Sequence, residues 1–338
     1  MSHITYLEAA VVGLVQGVTE LFPVSSLGHN VLIPALVGGS WASDLNVARA
    51  ESPYLAFIVG MHVATALALL VYFWRDWARI ISGFFSSLRL RPTRPWLRLD
   101  TRDQKLAWMI ILATIPVGLV GLVAEHAFRV IFGRPIAAAF FLIVNGLILY
   151  CGEKFRTRQS VQADQAVAAE RDRERQLVAA GPGPADPARP ASHQAVREEE
   201  MALAERADER LAKIGYPRAV LIGAAQILAL LAGISRDGVA MVAGMTAGLS
   251  REDAARFAFL LATPVILAAG VLKVPDLTGP LGNGIHGQIL LGSALSFIGA
   301  YVSVRFLMKY FQTRTLTPFA IYCFVVGLGS VIYLGLIK

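Results

Sequence analysis

The sequence predicts an all-α polytopic integral membrane protein, organised as inverted-topology repeats that carry two re-entrant (broken) helix pairs. Three observations lead there. Of 338 residues, 55% are hydrophobic and only 16% charged, with a mean hydropathy of +0.56, whereas a soluble domain carries about 25% charged residues. Six apolar runs read as membrane spans. Two further apolar regions are interrupted by Pro, Gly, Ser and ionisable residues, and they share four identities at a constant spacing of 210: Gly13/Gly223, Gln16/Gln226, Ser25/Ser235 and Gly28/Gly238.

In chain order, the first repeat occupies 1–151. It opens with the interrupted region 9–38, which contains LFPVSSLGHNVLIP. Such breaks strand backbone groups in lipid unless they are buried in protein or line a watery cavity. The N-terminal MSHITYLEAA lacks the basic start and cleavage site of a signal peptide. Spans follow at 54–74, 106–124 and 135–151, close to the roughly 20 residues that cross a bilayer. The second repeat, 217–338, begins with the interrupted region 219–249 (LLAGISRDGVAMVAG), followed by spans at 257–272, 285–304 and 315–337. Paired discontinuous helices of this kind meet near the midplane of inverted-repeat membrane proteins. That arrangement predicts that the Ser25–Ser26 loop faces the Ser235–Arg236 loop.

Between the repeats, 152–216 is a polar insertion. Residues 151–218 hold 12 Lys+Arg and 12 Asp+Glu, so they add nothing to the net charge of +7. Its helical composition, few apolar residues and GPGPADPARP break predict a solvated cytoplasmic loop, with a partner-docking hairpin as the second reading. The +7 comes instead from 75–105, with eight Lys+Arg against three acids, and from Lys309 and Arg314. By the positive-inside rule these are cytoplasmic, and the near-neutral connections 125–134 and 273–284 lie outside. The positive charge therefore marks loops and argues against a nucleic-acid partner. Cys151 and Cys323 lie in apolar runs and form no disulfide framework.

The chemistry-bearing residues sit in the interrupted regions. Gln16 and Glu20, four apart, share a helix face, and an intramembrane carboxylate points to function. A hydroxyl nucleophile needs a base nearby, which draws attention to Ser25, Ser26 and His29. Arg236 cannot shed its proton, so it needs an anion: either Asp237 or Glu20 in an ion pair, or a phosphate gripped together with Ser235 and backbone freed by Gly233 and Gly238. The Gly pair favours phosphate. His62, in an uncharged span, reads as a packing histidine; Glu51, Glu125, His126 and His193 are given no role.

These motifs resemble one family. QGVTELFPVSSLGH at 16–29 is similar to the first signature of the undecaprenyl-diphosphatases, the bacitracin-resistance membrane phosphatases, and GISRDG at 233–238 resembles their second. YFWRDW, FAFLLATPVI and TPFAIYCF look like further landmarks, so the similarity spans nearly the whole chain outside 152–216. The resemblance implies hydrolysis of undecaprenyl diphosphate to the monophosphate carrier lipid in the bacterial inner membrane, at a site facing outward. It implies a divalent cation, Mg²⁺ or Ca²⁺. It casts Glu20, Ser26, His29 and Arg236 as catalytic, with Ser26 the nucleophile or a phosphate contact and His29 a base or phosphate-binding partner, Ser25, Ser235, Arg236, Gly233 and Gly238 as phosphate-binding, and Glu20 and Gln16 as metal-binding; the charge of Asp237 beside Arg236 adds it as a third candidate metal ligand. The implied partners are the polyprenyl diphosphate lipid and the bilayer, and a homodimer is compatible with them. Ala232, Asp237 and Ala240 depart from the second motif, which has proline, serine and threonine there, and His62 replaces a more usual glutamine; Asp237 predicts a stronger metal requirement. The rival readings are a polyprenyl-phosphate transporter that binds the headgroup without cleaving it and a membrane interaction protein that has lost catalysis.

Overall fold

The computed structural model describes residues 4–46, 53–88, 99–179, 204–279 and 284–336, and among these there are helices and no strands. Glu51 and His193 fall outside them. Helix α1 (Tyr6–Leu21) starts from a reciprocal cap: Glu8 N–H donates to Thr5 Oγ1 at 3.2 Å, and Thr5 N–H donates to the Glu8 carboxylate at 2.7 Å. Pro23 disfavours helix in the residue before it, and the chain turns at Phe22–Ser25 into α2 (Ser26–Val37) and the short α3 (Gly39–Asp44). Helix α4 (Pro53–Tyr72) meets α5 (Trp74–Ser87) across a break at Phe73, bent by 86°. Then come α6 (Arg102–Phe132), α7 (Pro135–Lys154) and α8 (Arg158–Ala179), followed by α9 over 204–212. The second interrupted region is α10 (Tyr216–Ala225), a tighter 3₁₀ turn (Gln226–Leu230) and α11 (Arg236–Thr246); α12 (Arg251–Thr278), α13 (His286–Tyr310) and α14 (Thr317–Leu336) complete the chain.

Five helices are long and apolar enough to cross a membrane, and the bent α4–α5 pair brings the number to six. The protein is multi-pass. Two spans are longer than expected. Helix α6 runs through 125–132, so most of the expected 125–134 connection, with Glu125 and His126, is helix. Helix α12 has 28 residues where 16 were expected, because capping by Ser250 and the ion pairs of its first turns extend it beyond the apolar run.

The helices pack α1 on α13, α10 on α6, α4 on α12 and α13, and α7 on α14. Small residues allow the closest crossings, as in other membrane helix pairs. A Cβ on Gly13 would lie 2.5 Å from the Gly292 carbonyl of α13, and one on its repeat mate Gly223 would lie 1.9 Å from the Ala113 carbonyl of α6. Each copy of the interrupted region thus presses its first helix onto a long span of the opposite half.

Where it is described the insertion is helical, with many exposed residues, and several of its charged side chains are ion-paired. Arg171 pairs with Glu252, Arg210 grips Asp253 through two hydrogen bonds of 2.8 and 3.0 Å, and Arg251 binds Asp164 at 2.7 Å. Asp208, buried on α9, contacts Arg256 at 3.0 Å and Arg79 at 2.8 Å. Burial pushes the Asp208 carboxyl above the usual aspartate range, against the opposing pull of Arg256. Arg256 also bridges to Asp76 at 2.9 Å and lies over the Phe73 ring, 5.5 Å from its centroid, so the insertion fastens the α4–α5 elbow to α12.

Candidate active site

The two interrupted regions meet. Ser25 has a positive φ of 69°, rare for a residue with a Cβ. Its hydroxyl accepts from Gly28 N–H, capping α2, and from Gly233 N–H across the interface, both at 3.2 Å. Ser235 caps α11 in the same way, accepting from Gly238 N–H at 3.1 Å. Asn145 on α7, wholly buried, joins both loops: its amide donates to the Pro23 carbonyl at 2.9 Å and accepts from Ser235 N–H at 2.9 Å.

This junction opens on a cavity of about 170 Å³ lined by Glu20, Ser25, Ser26, His62, Gln226, Ser235 and Arg236, with apolar walls from Leu27, Val117, Ala229, Leu230, Ile234 and Val265. Glu20 is its centre. One carboxylate oxygen accepts from Arg236; the other accepts from Ser26 Oγ and, at 2.8 Å, from the Gln16 amide. The Gln16 carbonyl in turn accepts from Asn30 at 2.6 Å. A buried carboxylate is tolerable when paired and hydrogen-bonded in this way. The helix N-termini of α2 and α11 both reach the cavity, and such ends favour anions.

The structure brings together Gln16, Glu20, Ser25, Ser26, Ser235 and Arg236. It does not bring His29 to the Ser26 hydroxyl. His29 Nδ1 sits 2.7 Å from the Ser25 carbonyl, which can only accept, so Nδ1 carries the proton and Nε2 accepts from Tyr322 at 2.7 Å. The ring faces α14 and a separate apolar pocket. The base beside Ser26 is Glu20. His62, expected to be a packing histidine, is the imidazole in the cavity: its Nδ1 is 2.9 Å from the Ile58 carbonyl and Nε2 is 3.4 Å from Glu20.

Gly233 and Gly238 are not phosphate cradles. A Cβ on Gly233 would sit 2.4 Å from the Ala138 carbonyl and 2.7 Å from Leu142 N of α7; one on Gly238 would meet Leu149 and Pro23. The space is filled by protein, and Gly233 N–H already serves Ser25. Asp237 is buried and does not line the cavity, its nearest cationic atom is Arg236 Nε at 3.8 Å, and neither oxygen has a hydrogen-bond partner among the described residues. It stands apart from Glu20 as a ligand. The sequence reading missed Asn145 and Gln226 as site residues; the repeat spacing had singled out Gln226, but a lone asparagine in an apolar span carries no such mark.

A multi-pass helical protein whose interior joins a carboxylate, a hydroxyl and an arginine at two helix N-termini is, by class, a membrane protein that handles an anion within the bilayer. The family described as bacitracin resistance protein BacA matches residues 9–177 and 193–329, and the chain belongs to that family. Over 335 residues it is 57% identical to an undecaprenyl-diphosphatase of Mycolicibacterium paratuberculosis, with 99% of each chain covered. It is 51% identical to undecaprenyl-diphosphatase 2 of Frankia alni over 97% of each chain, and 36% identical to undecaprenyl-diphosphatase 2 of Chromobacterium violaceum over 97% of this chain and 98% of that one.

Proposed function

We propose that the protein hydrolyses undecaprenyl diphosphate to undecaprenyl phosphate and inorganic phosphate, recycling the carrier lipid for cell-wall synthesis and thereby conferring bacitracin resistance. The observation that carries this reading is the Ser26 hydroxyl hydrogen-bonded to Glu20 with Arg236 on the other carboxylate oxygen. Arg236 turns from Glu20 to the incoming diphosphate, which matches its planar fork. Glu20, released, takes the Ser26 proton as Oγ attacks the terminal phosphorus. The bond to the bridging oxygen breaks, and undecaprenyl phosphate leaves with the proton from Glu20. Water then cleaves the serine–phosphate bond, its proton passing to Glu20 and from there to Ser26. The serine-capped ends of α2 and α11 and Arg236 stabilise the charge, which is most of what phosphoryl transfer needs. The apolar walls suit the isoprenyl chain. His29 acts as a positioning residue, tying the Ser25 carbonyl to Tyr322.

Among the described residues no three His, Cys, Asp or Glu side chains lie together as an all-protein metal cage. Mg²⁺ needs only one or two carboxylates when phosphate oxygens complete its shell, and Glu20 would supply one at the cavity, whereas the Gln16 carbonyl is already taken by Asn30 and lies outside the cavity lining. The cation, Mg²⁺ or Ca²⁺, would neutralise diphosphate charge.

An outward-facing site in the bacterial inner membrane is part of the same reading. Val117 and Val265 stand about 22 and 21 Å along α6 and α12 from the Arg102 and Arg251 ends, which belong to the cytoplasmic side by the positive-inside rule. Counted from the start of the apolar runs at Leu106 and Phe257 they lie about 17 and 12 Å deep in a hydrocarbon core roughly 30 Å thick, near its midplane, so the outward opening rests on the family resemblance. Inverted repeats are supported by the exchange of partners, with α1 on α13 and α10 on α6, and the two interrupted regions are read as re-entrant pairs.

Phosphate release from a C55 lipid diphosphate by purified protein in detergent tests the reading. Glu20→Ala and Arg236→Ala are expected to lose about 10²–10³-fold in rate, with Arg236→Lys retaining part; Ser26→Ala removes an acid-stable phosphoserine intermediate. EDTA lowers the rate and added Mg²⁺ or Ca²⁺ restores it. Lipid binding without phosphate release under metal-replete conditions refutes hydrolysis and supports a transporter.

A further inference from the structure

Gln226 is 1% exposed, lines the cavity, and has no hydrogen-bond partner for either its amide nitrogen or its carbonyl oxygen. A buried amide with both ends open is costly. Its repeat mate shows what has changed. Gln16 is satisfied at both ends, donating to Glu20 and accepting from Asn30. At the same spacing of 210 the second copy carries Leu230 in place of the carboxylate and Ala240 in place of the asparagine. Both protein partners of the amide have been removed, yet the amide is kept.

Its surroundings do not replace them. The same 3₁₀ turn presents Ala229 and Leu230 to the cavity, and Val117 and Val265 face it from α6 and α12. On a wall otherwise apolar, the amide shares its cavity with Arg236, whose Nε likewise has no hydrogen-bond partner and only the Asp237 carboxylate at 3.8 Å.

We propose that Gln226 is a specificity-determining substrate contact: its amide donates to an oxygen of the lipid diphosphate held by Arg236, taking the place in the second repeat that Glu20 and Asn30 leave empty. This rests on the phosphatase reading of the same cavity. In the free protein the amide is a destabilising group kept for binding, as polar groups at functional sites often are.

The test uses the full chain in detergent and a non-hydrolysable polyprenyl methylenediphosphonate. Gln226→Met, an apolar side chain of similar shape, is expected to weaken phosphonate binding and raise KM for the diphosphate roughly ten- to a hundredfold, with kcat less affected. Its melting temperature without ligand stays level or rises, because an unpaired buried amide has gone. A structural amide gives the opposite: a lower melting temperature with binding intact. Gln226→Asn keeps the amide but withdraws it by one methylene, and lowers affinity in the same direction; it serves where the Met variant folds poorly. Phosphonate affinity within twofold of wild type in the folded variant overturns the assignment. If wild-type protein hydrolyses and binds while Gln226→Met matches it, only the Gln226 role falls. If wild type neither binds the phosphonate nor releases phosphate, the phosphatase reading falls and this inference with it.

Discussion

Replacing Asn145 with leucine tests whether the meeting of the two loops is what builds the site. The side chain is wholly buried and spans the loops, donating to Pro23 on one and accepting from Ser235 on the other. Leucine keeps the volume and removes both bonds. The Ser235 N–H is then buried without its partner, a cost of about 1–3 kcal/mol. The Pro23 carbonyl keeps only the weak Cys323 Sγ contact at 4.0 Å, which adds about 1 kcal/mol. A total of about 2–4 kcal/mol lowers the melting temperature by roughly 3–6 °C in a chain of this size. Because Ser235 caps α11 and precedes Arg236, the same change misplaces the guanidinium. Phosphate release is expected to fall further than stability alone explains, since small misplacements of positioning groups are costly to rate. Asn145→Asp can still accept from Ser235 but cannot donate to Pro23, and should fall between. Thermal unfolding in detergent, read beside the hydrolysis rate at a temperature where both proteins are folded, measures both effects. An Asn145→Leu protein with wild-type melting and wild-type rate refutes the argument.

Two further outcomes follow from packing and charge. Gly233→Ala places a Cβ 2.4 Å from the Ala138 carbonyl at a φ of 112°, so folded protein should be lost on size-exclusion chromatography; a monodisperse, active variant shows that the loops have slack. Asp208→Asn removes the carboxylate shared by Arg79 and Arg256, and because burial outweighs that pairing the variant is expected to melt level with wild type at low pH and at or above it once the wild-type carboxylate ionises. Because burial raises the Asp208 pKa, its share of wild-type stability is full below the unfolded value, near 4, and declines as pH rises through the folded value. The melting difference between wild type and Asp208→Asn, followed upward from pH 4, should therefore change in that window and then level off; a flat difference contradicts the burial argument.

Much of this was legible in the sequence, because the bilayer tolerates broken, polar backbone only where protein or water satisfies it. That constraint alone picked out 9–38 and 219–249, and within them Glu20, Ser26 and Arg236. The misreadings have local causes. Sequence proximity suggested His29 for Ser26, but Ser25 breaks the helix, so the Ser26 hydroxyl reaches back to Glu20 while the His29 ring is held on the Ser25 carbonyl and Tyr322. His62, distant in sequence, enters the cavity from α4. Glycine says that backbone comes close to something without saying what, and at Gly233 it is α7 rather than phosphate. The α4–α5 elbow was hidden because Arg75 and Asp76 read as the end of a span, although Trp74, Trp77, Ile81, Phe85 and Leu88 recur at helical spacing. The insertion's partners, Glu252, Asp253 and Arg256, lie up to 81 positions away from their mates, and charge balance alone cannot separate ion-paired from solvated.

The two copies have diverged in the charge they bring to the cavity. The first keeps Glu20 and the Gln16 and Asn30 amides that hold it; the second has Leu230 and Ala240 at those places and brings Arg236 instead. The Glu20–Arg236 pair is therefore a bond between the halves, and on the proposed reading the bond that an anionic headgroup exchanges. Breaking a buried pair by withdrawing one partner is expensive, so a ligand displaces Arg236 only if it offers comparable charge and geometry. A diphosphate does; a neutral lipid does not. The other links between the loops, Ser25 to Gly233 and Asn145 to Pro23 and Ser235, involve no charge and need not change when the anion enters. On the proposed reading, selectivity for an anionic headgroup and constancy of the scaffold around it rest on different bonds, so the first is exchanged without loosening the second.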